Sequence, residues 1–266
     1  MNNKRALILG GGGSIGSELV RQLYLENEVM VVDMDETRMF DLVEELGVDG
    51  MAGDIADIEV VERAFKWNPQ IVFQCAARKT VTPGESNPIE HIRTNVLGTY
   101  NVIEKCKERG VAMVNISTDK VLGNSIMGTT KKLAERMVKN AGFNSVRFGN
   151  VMGSRGSVIP LWQKQMDEGK PLTVTDPRMT RFMMTIPQAV ELIIKASEMP
   201  QDGRIVILDM GEPVSILNLA KEIIQCSGKD VGIKEIGIRA GESLTETLMT
   251  EEEKGTAIRE NNFWII

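Results

Sequence analysis

Asp119 and Lys120 set a carboxylate beside an amine directly after residues 111–116, an apolar stretch of strand character. Ligands of open α/β sheets bind in the crevice at the carboxyl ends of the strands. An acid and a base at that position suit proton transfer; a surface ion pair is the other reading of the same two residues. Just downstream, Met127-Gly128-Thr129-Thr130-Lys131 opens a helix that also carries Lys132 and Glu135. His91 is the only histidine, which all but excludes a histidine-based triad or a multi-histidine zinc centre. No metal site is expected.

A second constellation lies near the start. Residues 6–9 are a short buried strand that runs into Gly10-Gly11-Gly12-Gly13-Ser14-Ile15-Gly16 and then an amphipathic helix with Leu19, Val20 and Leu23 inward. Glycines at 10, 13 and 16 allow a tight turn and close backbone approach, and the following helix N-terminus suits a pyrophosphate. Ser14 and Ile15 belong to the same loop. A second strand ends in Asp33, placed to accept hydrogen bonds from adenosine ribose hydroxyls, which favours NAD; nearby Arg38 would suit a 2′-phosphate and keeps NADP open. Asp54 and Ile55, after the third strand, are placed near the adenine, although Asp54 can equally cap a helix over 57–66. Ala76 and Ala77, at the end of a fourth strand over 71–75, are small enough for a dinucleotide to pass.

The elements that carry these residues alternate strand and helix. A loop is expected over 83–88, a long helix containing Asn95 over 89–109 with Gly110 as its stop, and a sixth strand over 145–148. That alternation predicts an α/β fold, a Rossmann-type doubly wound parallel sheet with a small C-terminal substrate lobe. The expected division is 1–155 for the dinucleotide-binding domain, with later strands near 186–211 returning to it, and 156–266 for an interleaved lobe. Within the second part, helices are expected over 159–168, 187–199 and 216–227, an edge strand over 172–175 and a further strand over 205–208.

Bulk properties narrow the function classes. With 266 residues and 42% hydrophobic content the chain can bury a full core. Its net charge of −6 argues against a general nucleic-acid surface. Apolar runs such as Ile71-Val72-Phe73 are far shorter than the ~20 residues of a membrane span, and the start leads straight into a strand. Three scattered cysteines, Cys75, Cys106 and Cys226, read as reduced thiols. The expectation is a cytoplasmic protein with no membrane and no nucleic-acid partner.

On these residues the chain resembles an extended short-chain dehydrogenase/reductase, and more narrowly the polysaccharide-biosynthesis dehydratases that act on UDP-N-acetylglucosamine. The resemblance rests on Gly13-Ser14-Ile15-Gly16-Ser17-Glu18-Leu19, Asn95-Val96-Leu97-Gly98-Thr99, Ile116-Ser117-Thr118-Asp119-Lys120 and Met127-Gly128-Thr129-Thr130-Lys131. It continues through Arg147-Phe148-Gly149-Asn150-Val151, Gly153-Ser154-Arg155-Gly156-Ser157, Thr173-Val174-Thr175, Thr180-Arg181-Phe182, Leu208-Asp209-Met210-Gly211-Glu212-Pro213 and Gly241-Glu242, in the family's order.

The resemblance implies a lyase, a nucleotide-sugar 4,6-dehydratase that recycles its own NAD(P). Sugar C4 is oxidised, water leaves across C5–C6, and hydride returns to C6. Lys120 is then the candidate C5 base, since a partly desolvated lysine beside a cationic neighbour has a suitable pKa. Asp119 is the candidate acid for the departing hydroxyl, with Thr118 beside it. Lys131 matches the lysine that holds the nicotinamide ribose. Met127 stands where most of the superfamily has a proton-transferring tyrosine, and methionine transfers no protons; this resembles the longer, membrane-anchored, C5-retaining members. A UDP-sugar's phosphates call for local cations, and Arg155, Arg181 and Arg239 are the candidates, with Asn150, Thr173 and Glu242 as sugar or uridine contacts and Lys79 as a further substrate contact. Asn95 falls among the expected cofactor contacts.

The chain departs from the family pattern at Leu9, in a shortened loop over 120–127, and in Lys79-Thr80-Val81-Thr82-Pro83-Gly84-Glu85, where the family builds part of its sugar pocket. A nucleotide-sugar 4-epimerase and a catalytically idle NAD(P)-binding regulator are the alternatives. The long helices over 89–109 and 128–140 imply a homodimer or higher homo-oligomer, although Val102, Ile103 and Met137 on them can equally be core.

Overall fold

The computed structural model describes residues 1–266 and shows the doubly wound sheet. Strands β1 (Arg5–Leu9), β2 (Glu28–Asp33), β3 (Asp49–Ala52), β4 (Ile71–Gln74), β5 (Ala112–Ile116) and β6 (Asn144–Arg147) lie in the order β3-β2-β1-β4-β5-β6. Ile205–Leu208 extends the sheet beside β6, and every pair up to that strand is parallel. Strand order reverses between β1 and β4, which opens the crevice at their carboxyl ends.

The strands read as continuous apolar runs because both faces are covered. In β1, Ala6 and Ile8 join one core cluster with Leu19, Val20 and Val190, whereas Leu7 and Leu9 point into a second with Val61, Phe65 and Val102. Val102 and Ile103 are therefore core, and Met137 is half-buried against the same cluster.

Two stretches differ from expectation. The loop expected over 83–88 holds a short helix, Val81–Ser86. The long helix after it is continuous from Pro88 to Arg109 but contains a π-helical stretch, Ile92–Gly98, of the kind often found beside functional sites. Gly110 ends it with φ 63°. The helix of the Met127 motif is Ile126–Asn140, N-capped by Ser125, whose side chain accepts from the Gly128 amide.

The smaller part has its own apolar cluster around Trp162, Met166, Leu172 and Ile216. Leu172–Val174 is an edge strand and pairs with Ile233–Glu235. Ile186–Glu198 is capped by a reciprocal Thr185–Gln188 box. The last residues do not stay in this lobe. Ile258–Glu260 and Phe263–Ile265 form a hairpin that adds antiparallel to Ile205–Leu208, burying Phe263 and Ile265 in the main core. The segment expected as lobe over 156–266 thus returns to the large sheet at its end. No helix is long and apolar enough to cross a membrane.

Candidate active site

The glycine loop follows β1 directly. Gly10 has φ +80°, and a Cβ there would lie 2.5 Å from the Ala76 nitrogen; a Cβ on Gly16 would collide with the Gly10 carbonyl. Both positions need glycine for reasons of space, and Gly10 also for its backbone angle. Gly13 is the N-cap of helix α1 (Ser14–Leu23) and makes no side-chain cap, so the helix's first amides are free to meet an anion. Ile15 is half-buried against the core. The Gly12 amide donates to Asp33 Oδ2 at 2.8 Å, fixing that carboxylate beside the loop. These features fit a dinucleotide whose pyrophosphate lies over residues 10–16 and whose ribose meets Asp33.

Ala76 closes the floor opposite Gly10, with Ala77 half-buried next to it. Ile55 is buried and packs where a Gly98 side chain would otherwise be. Asp54 does not cap the helix Ile58–Phe65; Asp57 does, and Asp54 Oδ1 instead accepts from the Ala56 amide at 2.9 Å. Arg38 pairs with Asp35 at 3.0 Å.

Three expected ligands have other employment. Asn95 is fully buried in the π-helical stretch. Its amide nitrogen donates to the Arg78 carbonyl at 2.9 Å and to Thr130 Oγ1 at 3.0 Å, and its oxygen accepts from the Arg78 amide at 2.8 Å. It braces the 78-loop against the Met127 helix. Arg155, expected at the UDP phosphates, folds over the glycine loop: its guanidinium donates to the Gly12 carbonyl and its amide to Ser14 Oγ at 3.0 Å. Lys79 does not reach the sugar cleft either, because its Nζ donates to the Arg155 carbonyl at 2.7 Å.

The cleft itself, about 700 Å³, lies between the ends of the sheet and the smaller lobe. Asp119, Lys120, Asn150, Thr173, Arg181, Arg239 and Glu242 line it together. Thr173 Oγ1 accepts from Gln165 at 3.0 Å. Arg181 is buried and spends its donors on the carbonyls of Thr180, Ser243 and Leu244, so it braces the 243–246 segment rather than standing free for a phosphate. Arg239 pairs with Glu242 through Nε at 3.0 Å. The gathering of cations expected for a diphosphate is therefore smaller than the sequence suggested.

At the cleft floor Lys120 Nζ donates to Asp119 Oδ1 at 3.1 Å, to Asn150 Oδ1 at 2.9 Å and to Glu246 Oε2 at 3.0 Å. Thr118 Oγ1 donates to Asp119 Oδ1 at 2.9 Å. The cationic neighbour expected beside Lys120 is absent; two carboxylates stand there. Burial pulls the Lys120 amine down, but Asp119 and Glu246 outweigh it and hold it above its ordinary value. Burial alone would raise Asp119, yet the Lys120 ammonium and the hydrogen bonds from Lys120 and Thr118 leave it below its ordinary range.

Lys131, on the next helix, donates to the Ile116 carbonyl at 2.6 Å; burial lowers its amine to about 8, partly offset by Glu135. Met127 is buried. Glu135 in turn receives Ser117 Oγ at 2.5 Å and a two-pronged contact from buried Arg147 at 2.6 and 3.2 Å, and Arg147 also grips Glu253 at 2.9 Å.

Glu246 is the site residue that sequence reasoning missed. It lies far down the chain in an irregular segment between Gly241-Glu242 and the helix Glu251–Thr256, with no motif to mark it. Burial raises its carboxyl, Lys120 opposes this, and neighbouring Asp119 adds to it, leaving it at about 7.

The sequence profile described as "Polysaccharide biosynthesis protein" matches residues 6–266. The chain belongs to that family. It is 42% identical to the capsular polysaccharide biosynthesis protein CapD of Staphylococcus aureus over 95% of its own length and 46% of that protein's, so the chain spans about half of that relative. Identity is 33% to the inverting UDP-N-acetylglucosamine 4,6-dehydratase of Campylobacter jejuni, covering 100% of this chain and 83% of the other. It is 35% to a UDP-glucose 4-epimerase of Rickettsia canadensis, covering 96% and 80%. Among solved structures, Pen from Bacillus thuringiensis superposes with a TM-score of 0.95 at 37% identity, over 100% of this chain and 89% of that one. This polysaccharide-biosynthesis protein is thus a short-chain dehydrogenase/reductase related to nucleotide-sugar dehydratases and epimerases.

Proposed function

We propose that this family member is a 4,6-dehydratase of a UDP-sugar of the UDP-N-acetylglucosamine type. The observation that carries the reading is the Asp119–Lys120 pair at the floor of the cleft, its carboxylate buried and its amine half-buried and tied to Asn150. A bound nicotinamide dinucleotide supplies the hydride acceptor for C4 and the hydride donor for C6. Residues 10–16 and Asp33 hold its pyrophosphate and adenosine ribose, with NAD favoured because the Asp33 carboxylate is already fixed for the ribose hydroxyls. Lys131, whose amine donates to the carbonyl that ends β5, holds the nicotinamide ribose in this reading.

The chain's own groups move the protons. With methionine at position 127, Thr118 Oγ1 takes the O4 proton as its own proton passes to Asp119 Oδ1, and Asp119 gives it to O6 as the hydroxyl departs as water. Once it has given up its own proton, the Lys120 amine takes the C5 proton, which the adjacent 4-keto group has acidified, and returns it to C5 at the end. Water loss from C5–C6 and the carbonyl at C4 then balance with no external proton. Arg239 and Glu242 flank the nucleotide end of the cleft.

A 4-epimerase is the second reading, favoured by the 35% identity to the Rickettsia enzyme. It needs no C5 base, whereas this cleft places an amine among carboxylates. Incubation of the protein with UDP-N-acetylglucosamine and NAD⁺ separates the two: a 4-keto-6-deoxy product supports the dehydratase, a C4 epimer the alternative, and no turnover contradicts both. We also propose a homodimer built on Pro88–His91, Thr99–Arg109 and Ile126–Asn140, whose outer faces expose Ile89, Tyr100 and Leu133.

A further inference from the structure

A lysine held as an ammonium by two carboxylates cannot remove a carbon-bound proton until something takes its own proton first. Proton accounting for dehydration makes the same demand. One proton travels from O4 to O6, and a second leaves C5 and comes back. Asp119 serves the first path. The second needs an amine that starts neutral, and Met127 supplies no acceptor.

We propose that Glu246 is the proton acceptor that frees the Lys120 amine to act as the C5 base. This rests on the dehydratase reading above. Glu246 Oε2 lies 3.0 Å from Lys120 Nζ, on a side chain only 8% exposed, and it lines the same cleft. The charged groups around it are Asp119 and Lys120 from the turn Asp119–Leu122 and Arg181 from Thr180–Arg181, the last at 3.4 Å from its other oxygen. Arg181 also ties the backbone at Ser243 and Leu244, which keeps Glu246 facing Lys120.

The exchange balances at each step. The Lys120 N–H bond breaks and a Glu246 O–H bond forms, giving a neutral pair from a charged one. The amine then takes the C5 proton and becomes an ammonium, while the C5 electron pair forms the C5–C6 double bond and hydroxide leaves C6 with the proton from Asp119. Lys120 afterwards gives its proton back to C5, and Glu246 returns the first proton to the amine. Neither residue is changed over the cycle. Burial lifts the Glu246 carboxyl to about 7, which narrows its gap to the raised Lys120 ammonium and lowers the cost of the transfer below that to an ordinary glutamate. Glu246 is a positioning and relay residue, since it acts through Lys120.

The test compares the full-length wild type with Glu246→Gln and Glu246→Asp. The glutamine variant is expected to lose about 100-fold in kcat and to keep its NAD⁺ affinity. The wild-type rate should rise with pH through about 7; that limb should vanish in Glu246→Gln and return in Glu246→Asp with partial activity. A glutamine variant with wild-type kcat and an intact limb overturns the proposal. A readout independent of turnover separates this from failure of the dehydratase reading. Infrared difference spectra, wild type minus Glu246→Gln, should show a protonated carboxyl titrating near pH 7. Its absence overturns the relay; its presence without turnover of UDP-N-acetylglucosamine sinks the dehydratase reading and leaves the proton exchange standing.

Discussion

At the scale of single residues, the site turns on which charges share a proton. Lys120→Ala is expected to reduce dehydration by about 100-fold or more with NAD⁺ affinity unchanged, because the amine touches the cleft and not the glycine loop. Unchanged product formation would sink the assignment of Lys120. Glu246 gives a second expectation, on stability. Its carboxyl is raised from 4.5 to about 7, so the folded protein holds that proton more firmly than the unfolded chain. The contribution is complete below about 4.5 and is lost as the pH rises through about 7. Glu246→Gln lacks this loss, so its melting temperature relative to wild type should climb across that window. A pH-independent difference contradicts the burial argument. Asp119, Lys120, Asn150 and the glycines were legible in the sequence because each sits within a few residues of a strand end. Glu246 was not, since its place beside Lys120 is made by the fold alone. The arginines show the same limit: sequence reveals a cation but not the neighbour that claims it, and Arg155 and Arg181 were both claimed by backbone carbonyls.

At the scale of elements, a buried ionic junction joins three pieces of chain. Arg147 at the end of β6 holds Glu135 on the helix Ile126–Asn140 and Glu253 on the helix Glu251–Thr256. Ser117, two residues before Asp119, bonds to the same Glu135. Arg147→Met should therefore lower unfolding free energy by about 3–5 kcal/mol, because Glu135 is left as an uncompensated buried charge. Pairing that change with Glu135→Leu should recover most of the loss in chemical denaturation; equal destabilisation in the double variant would contradict the charge argument. The helix expected over 89–109 was correct in extent, yet its π-helical stretch was invisible. Within it Asn95 turns inward to Arg78 and Thr130, long-range contacts that no helical periodicity records.

At the scale of the molecule, the sheet is extended by the hairpin Ile258–Glu260 and Phe263–Ile265. Parallel strands up to Ile205–Leu208 followed from the alternation of apolar runs and helices. The final hairpin did not, because Ile258–Glu260 is exposed along its length and carries two charges in three residues, the pattern of an edge strand. The hairpin follows directly on the helix whose Glu253 pairs with Arg147. The proposed dimer belongs to this scale as well. Light scattering should report twice the chain mass, and Leu133→Arg should yield monomers; a wild-type monomer contradicts the helix-pair interface.

The central claim is that a single cleft oxidises C4, removes water and returns the same hydride to C6. UDP-N-acetylglucosamine carrying deuterium at C4 tests it most directly, with the product read by nuclear magnetic resonance. The account predicts a 4-keto product whose C6 is a methyl group bearing that deuterium. Deuterium found back at C4 of an epimerised sugar, or an unaltered substrate, would contradict it.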